Sequence, residues 1–199
     1  MATTRLYTAE ELWEMPTDMP WELWEGVLRK VPGAGIAASV MGGWIGMQIT
    51  LFDWSRDLGL VTGAGGGFVF RRNPDTVVIP DVALTKWERF PGGEVPAWYF
   101  EGHPDLAVEV RSPTDPDLNV GEKVRLYGEA GVPLLWWVYP DDRVVEVYRL
   151  GGLVATLRDG DMLDGEEVLP GFTLPVSDVF ESVPKRPATD ARVRVVSEE

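Results

Sequence analysis

Three side chains have the type and setting for chemistry: Asp81, Glu109 and Lys123, with Tyr127 close behind. Asp81 lies in Val77-Val78-Ile79-Pro80-Asp81-Val82-Ala83-Leu84, and Glu109 lies in Leu106-Ala107-Val108-Glu109-Val110. Each is a single acid in an apolar run of the kind that forms strands covered on both faces. An ionised carboxylate in such a place is costly unless it is paired or binds a cation. Two of them on neighbouring strands are suited to share a divalent metal ion. Each also has a plainer reading. An Asp after Pro commonly marks a turn or strand end, and either acid can sit exposed or pair with an arginine. Lys123 precedes Tyr127 by four residues, so the two share one face of a helix. Val120, Val124 and Tyr127 make that face partly apolar. A lysine beside an apolar stripe usually reaches out to solvent. The alternative is that it points at the end of the sheet, where the carboxylates converge.

Composition narrows the metal. The chain has no cysteine and one histidine, His103, so disulfides, thiolate zinc sites and His-rich metal sites are excluded. Carboxylate oxygens favour Mg²⁺ or Mn²⁺. A formal net charge of −14 speaks against a phosphate-rich partner, although Arg71–Arg72 and Lys86–Arg89 offer material for a local basic rim. Met1–Leu12 lacks a basic start followed by an apolar run, which predicts a cytoplasmic protein. Val31–Phe52 holds 22 residues without a charge, long enough to span a bilayer. Pro32, five glycines, Ser39, Gln48 and Thr50 lower its hydropathy, so a buried helix is the expectation.

The elements that must position these residues follow from pattern. Thr8-Ala9-Glu10-Glu11 has capping-box spacing and predicts a short helix ending near Pro16. Trp21–Trp24, a Glu25-Gly26 turn and Val27–Val31 predict a β-hairpin. Ile36–Leu58 predicts a long helix stopped by Gly59. Its stripe at helical spacing is Val40, Met41, Trp44, Met47, Gln48, Leu51 and Phe52, and Gly42, Gly43 and Gly46 form a flat face for close approach. Strands are expected at Leu60–Thr62, Phe68–Arg71, Val77–Leu84, Leu106–Val110, Leu134–Tyr139 and Val144–Arg149, with Leu153–Leu157 extending the meander. A helix is expected over Leu118–Ala130, ended by Gly131, after a turn at Ser112–Pro116. Gly63–Gly67 runs into Phe68-Val69-Phe70, so it reads as a hairpin loop and not a phosphate cradle. His103 reads as a solvent-exposed loop residue, Trp136-Trp137 as core, and Asp159–Glu167 as a solvated turn region. Together these predict one mixed α/β (α+β) domain over residues 1–183, built on one central mixed sheet flanked by helices, with a loose tail over 184–199.

Taken in order, Pro80-Asp81, Pro104-Asp105-Leu106-Ala107-Val108-Glu109-Val110-Arg111-Ser112-Pro113-Thr114, Lys123, Tyr127 and Gly131-Val132-Pro133 with Trp136 resemble the Uma-type restriction-endonuclease-like family. Trp21-Glu22-Leu23-Trp24-Glu25-Gly26 is similar to that family's opening hairpin, and Leu169-Pro170-Gly171-Phe172 to its closing segment. The resemblance spans about Thr8 to Phe180. It implies the PD-(D/E)xK nuclease fold, with Asp81, Glu109 and Val110 as metal positions. Arg111 stands where the parent pattern has its lysine, so that role passes to Lys123. Glu22 is implied as an additional acid near the metal. Tyr127 has two readings, a packing residue first and a hydrogen-bond donor at the site second. The implied activity is Mg²⁺-dependent hydrolysis of DNA by an endonuclease, with a homodimer as the implied assembly. The other reading is a catalytically inactive, nuclease-like interaction or regulatory module, which the acidity favours. So do Ala37-Ala38-Ser39 where the family often has histidine, and Leu134-Leu135-Trp136 and Tyr139-Pro140 where it often has Glu-Tyr-Trp and Asp-Pro.

Overall fold

A computed structural model describes residues 5–16, 21–31, 35–112 and 117–184. The elements run α1 (Ala9–Trp13), β1 (Trp21–Trp24), β2 (Val27–Lys30), α2 (Ile36–Asp53), β3 (Gly59–Gly63), β4 (Phe68–Arg71), β5 (Thr76–Val78), β6 (Val82–Lys86), β7 (Phe100–Glu101), β8 (Leu106–Val110), α3 (Asp117–Ala130), β9 (Leu134–Tyr139), β10 (Val144–Arg149), β11 (Gly152–Leu157), β12 (Met162–Asp164), β13 (Thr173–Pro175) and α4 (Val176–Glu181). The class is mixed α+β, as expected, but the strands divide into two sheets and a ribbon. One sheet has the order β2-β1-β5-β4-β7, the other β11-β10-β9-β8-β6-β3, and β12 pairs with β13. In the six-stranded sheet only β8 and β9 are parallel. α3 makes the crossover between them, as a parallel pair requires.

The expected Val77–Leu84 strand breaks in two, and the break creates the second sheet. Pro80 has no N–H to give a ladder, so the chain cannot stay paired through it. Val78 is the last residue of β5 in one sheet and Val82 the first of β6 in the other. Residues 79–81 are the seam. Gly63–Gly67 likewise passes between sheets, from β3 to β4, and is not a hairpin loop.

The six-stranded sheet is covered on both faces. Leu106, Val108 and Val110 of β8, with Leu134, Trp136 and Val138 of β9, pack with Ala38, Met41, Ile45 and Ile49 of α2. The alternate residues Ala107, Leu135 and Trp137 pack with Val124, Leu126 and Tyr127 of α3. This alternation follows from the two-residue repeat of a strand. Gly46 lets α2 lie close, since a Cβ there would stand 3.3 Å from Val82. α1 covers the five-stranded sheet through Ala9 and Leu12 against Leu23, Val69 and Val77. Its capping box forms as predicted, with Thr8 and Glu11 exchanging bonds.

α2 ends at Asp53, short of the expected Leu58. The Asp53 carboxylate accepts the N–H groups of Leu58 (2.9 Å) and Gly59 (3.4 Å) and turns the chain into β3. Its buried face is Ala38, Met41, Ile45 and Ile49, so Val40, Met47 and Leu51 of the expected stripe are exposed. No helix among the described residues is long and apolar enough to cross a membrane. β7, β13 and α4 arise where no element was expected, and β12 arises within the acidic Asp159–Glu167 run. The rest of the turn after Ser112, and residues 185–199, lie outside the described residues.

Candidate active site

The two-residue repeat of β8 directs Glu109 to the α3 side of the sheet, beside Trp137 of β9. Glu109 is buried there. Two donors from α3 meet it. The Lys123 ammonium lies 2.8 Å from Glu109 Oε1, and the Tyr127 hydroxyl donates to the same oxygen. One helical turn separates these donors, so a single helix face delivers both. The Tyr127 ring is fully buried and meets Phe70 edge-on. Packing and hydrogen bonding therefore coexist in that residue.

Glu22 comes from the other sheet. In β1 it shares a face with Trp24, on the side opposite Leu23. Its Oε1 accepts the Ile79 N–H at 2.8 Å and lies 3.0 Å from Lys123 Nζ, and its Oε2 accepts the Trp24 indole N–H at 2.8 Å. Glu22 therefore clamps Lys123 and ties the seam to β1. With both oxygens engaged, it reads as a support for the lysine and not as a metal ligand.

Asp81 stands on the seam and is half-buried, not enclosed within a strand as its flanking residues suggested. Its Oδ2 accepts the Val110 N–H at 2.7 Å. Continuing the β6–β8 register past Val82↔Val108 would put Pro80 opposite Val110, so the carboxylate takes the N–H that an unbroken ladder would have used. Gly42 of α2 lies beneath, where a Cβ would be 3.7 Å from the Asp81 Cβ. Glu22, Asp81, Glu109, Val110 and Lys123 line one cleft of about 340 Å³, with Trp24 and Trp137 in its walls.

Burial is the largest influence on Glu109 and pushes its carboxyl up to about 8, with Lys123 pulling it down and Asp81 and Glu22 pushing it further up. Burial also works against the Lys123 ammonium, but Glu109 and Glu22 more than offset it and hold the lysine above its ordinary value. Lys123 is thus a fixed cation at neutral pH. Burial, then Glu109, raises Tyr127 well above the usual phenol range, so it remains a donor.

Among the described residues, no group of three or more Asp, Glu or His could hold a metal ion. The two remaining candidates fit a sparser site. Mg²⁺ takes one or two carboxylates and keeps several waters. Asp81 and Glu109 offer hard oxygens in one cleft, and the Lys123 and Tyr127 contacts to Glu109 both fall on Oε1.

The expected basic rim is elsewhere. Arg71 pairs with Glu25, Arg72 with Glu10 and Asp75, and Arg89 with Asp105, while Lys86 Nζ donates to the Glu167 carbonyl. The cleft's exposed cations are Arg29 and Lys30 at the end of β2, which the sequence reading missed. Their signal was adjacency: a basic pair closing a hairpin in an acidic chain. Arg29 reaches over the Trp24 ring at 5.6 Å and lies 3.6 Å from Glu122. His103 is half-buried, not solvent-exposed, and contacts Arg89 and the Pro104 carbonyl outside the cleft.

The family model Uma2, described as "Putative restriction endonuclease", matches residues 9–177. A solved structure titled a "putative nuclease belonging to DUF820 from Anabaena variabilis ATCC 29413" is 21% identical. It aligns with a TM-score of 0.76 over 88% of this chain and 98% of its own, which shows a shared fold. No curated protein matches.

Proposed function

The chain belongs to the Uma2 family, and from that premise we propose that its cleft hydrolyses phosphodiester bonds of DNA as a Mg²⁺- or Mn²⁺-dependent endonuclease. The observation that carries the reading is Lys123 at 2.8 Å from Glu109, in a cleft that also holds Asp81 and is edged by Arg29 and Lys30. Asp81 and Glu109, with Val110 beside them, would hold the cation, which supplies polarisation of the scissile phosphate and a more acidic bound water. Lys123 stays protonated, so it does not act as a base. It neutralises charge growing on the phosphoryl oxygens as water attacks phosphorus and the P–O ester bond breaks. Glu22 and Trp24 position Lys123, and Tyr127 orients Glu109. Arg29 and Lys30 meet backbone phosphates next to the break.

The test is cleavage of supercoiled plasmid with Mg²⁺ or Mn²⁺, with EDTA as control. Glu109→Ala and Lys123→Ala should each lower the rate by about 100-fold or more. Calorimetry should show divalent-ion binding that weakens in Asp81→Ala. A clean preparation that neither binds a divalent ion at millimolar levels nor cuts DNA would sink the proposal. One observation favours the other reading, a nuclease-like module without catalysis: Lys123 already balances part of the buried negative charge of Glu22 and Glu109.

A further inference from the structure

The two sheets approach each other at their edges, and the junction is not filled. β3 is the last strand of the six-stranded sheet and β7 the last of the five-stranded one. Between them lies a cavity of about 190 Å³, with the loop before β7 as its third wall. It shares no wall residue with the cleft.

Three properties of the wall bear on what the cavity could hold. First, it is aromatic. Phe68 of β4 and Phe100 of β7 are register partners with ring centres 5.8 Å apart, and Phe90 meets Phe100 at 5.0 Å. Phe68 and Phe90 are buried, while Val95 on the loop is 54% exposed and forms the rim. Second, the wall is uncharged. Every residue on it is apolar, aromatic, glycine or threonine, in a chain of net charge −14. An ionised ligand would find nothing to pair with there. Third, the wall holds one unmet polar group. The Thr62 hydroxyl is buried without a hydrogen-bond partner. Gly66 covers it closely, since a Cβ there would stand 3.2 Å from the oxygen. A buried hydroxyl in this state costs stability until something meets it.

We propose that this cavity binds a small neutral aromatic molecule, of one or two fused rings, that carries a single hydrogen-bonding group. An apolar cavity of ~150 Å³ stays dry and takes benzene. The larger space here leaves room for a second fused ring. Water is a poorer occupant, because it needs about two to four polar partners and the wall's side chains offer only the Thr62 and Thr85 hydroxyls. The tilted phenylalanine rings present edges and faces for edge-to-face contact with a flat ligand. Thr62 turns its hydroxyl to the ligand's polar atom and gives up no bond in doing so. Because cavity and cleft have separate walls, the inference stands apart from the nuclease reading.

The experiment is equilibrium dialysis of the full chain against indole, with indene as the hydrocarbon of the same shape and indole-2-carboxylate as the charged analogue. Circular dichroism verifies the fold of each variant. The native chain should retain one indole with a Kd of about 100 μM. Indene should bind roughly five- to tenfold more weakly, and the carboxylate not at all. Thr62→Val keeps the shape of the side chain and removes the hydroxyl, so it should bring indole down to the level of indene. Leu60 lies on the same face of β3 as Thr62, opposite Thr85, and Leu60→Trp should fill the space and abolish binding of both. A native chain that retains no indole at about 2 mM would overturn the proposal. Equal retention of indole and indene, or a Thr62→Val chain that still prefers indole, would remove the hydroxyl from the site and overturn it too. Binding that survives Leu60→Trp would place the ligand elsewhere, with the same consequence.

Discussion

Glu109 carries the lysine and tyrosine contacts on one oxygen, inside a wall that excludes most water. Burial raises its carboxyl to about 8, above the ordinary value of 4.5, so the fold prefers the protonated acid. The stability this gives is fully present below pH 4.5 and is lost as pH rises through about 8. Glu109→Gln keeps an acceptor for Lys123 and Tyr127 but cannot ionise. In EDTA, urea unfolding should therefore show the variant gaining on the native chain by roughly 2 kcal/mol or more between those pH limits. A constant difference would mean that Lys123 keeps Glu109 ionised throughout. Lys123→Met removes the cation and leaves two buried acids facing each other. Its cost should be about 3 kcal/mol above pH 8 and smaller near pH 5, where Glu109 is already protonated.

Among the elements, α1 and α2 have distinct seats. Asp75, in the turn before β5, accepts the N–H groups of Ala9 (2.9 Å) and Asn73 (3.1 Å) and pairs with Arg72 at 2.7 Å. Burial opposes its charge, but these bonds prevail and hold the carboxyl below its usual 3.8. Asp75 thus contributes stability above that pH and loses it as pH falls through the lowered value. Asp75→Asn should cost about 2 kcal/mol at neutral pH, and the gap should close in acid. α2 is seated by Gly46 against Val82. Gly46→Leu forces the helix away from β6 and should cost about 2–3 kcal/mol in thermal or denaturant unfolding. The cation proposed for the cleft should also bind more weakly, because Gly42 on the same face supports Asp81.

The whole molecule combines a strongly acidic surface with a small basic edge on one cleft. If DNA binds there, few phosphates are neutralised, and the salt dependence is shallow for a DNA-binding protein. Each neutralised phosphate contributes about 0.9 to the slope of log K against log salt. Replacing both Arg29 and Lys30 by Ala should lower that slope by about 2 in fluorescence anisotropy, with little preference among sequences. Replacing Arg71 and Arg72, which are occupied by Glu25, Glu10 and Asp75, should leave it unchanged.

Local rules determined much of this protein from the sequence alone. The capping box at Thr8–Glu11, the hairpin around Glu25-Gly26 and the strands holding Glu109 and Trp136 depend on near neighbours and periodicity, and all formed where expected. The same rules put Lys123 and Tyr127 on one helix face. Tertiary structure decided what no single segment encodes. Pro80 marked a break, but only the pairing of β5 and β6 with different partners made it a seam between sheets. The family resemblance put Glu22 near the metal, but only the packing of β1 beside α3 brings it onto Lys123. The inner and outer faces of α2 are both apolar, so periodicity could not choose which to bury. Contact with β6 and β8 chose, since burial rewards the surface that meets a partner and leaves its equal exposed.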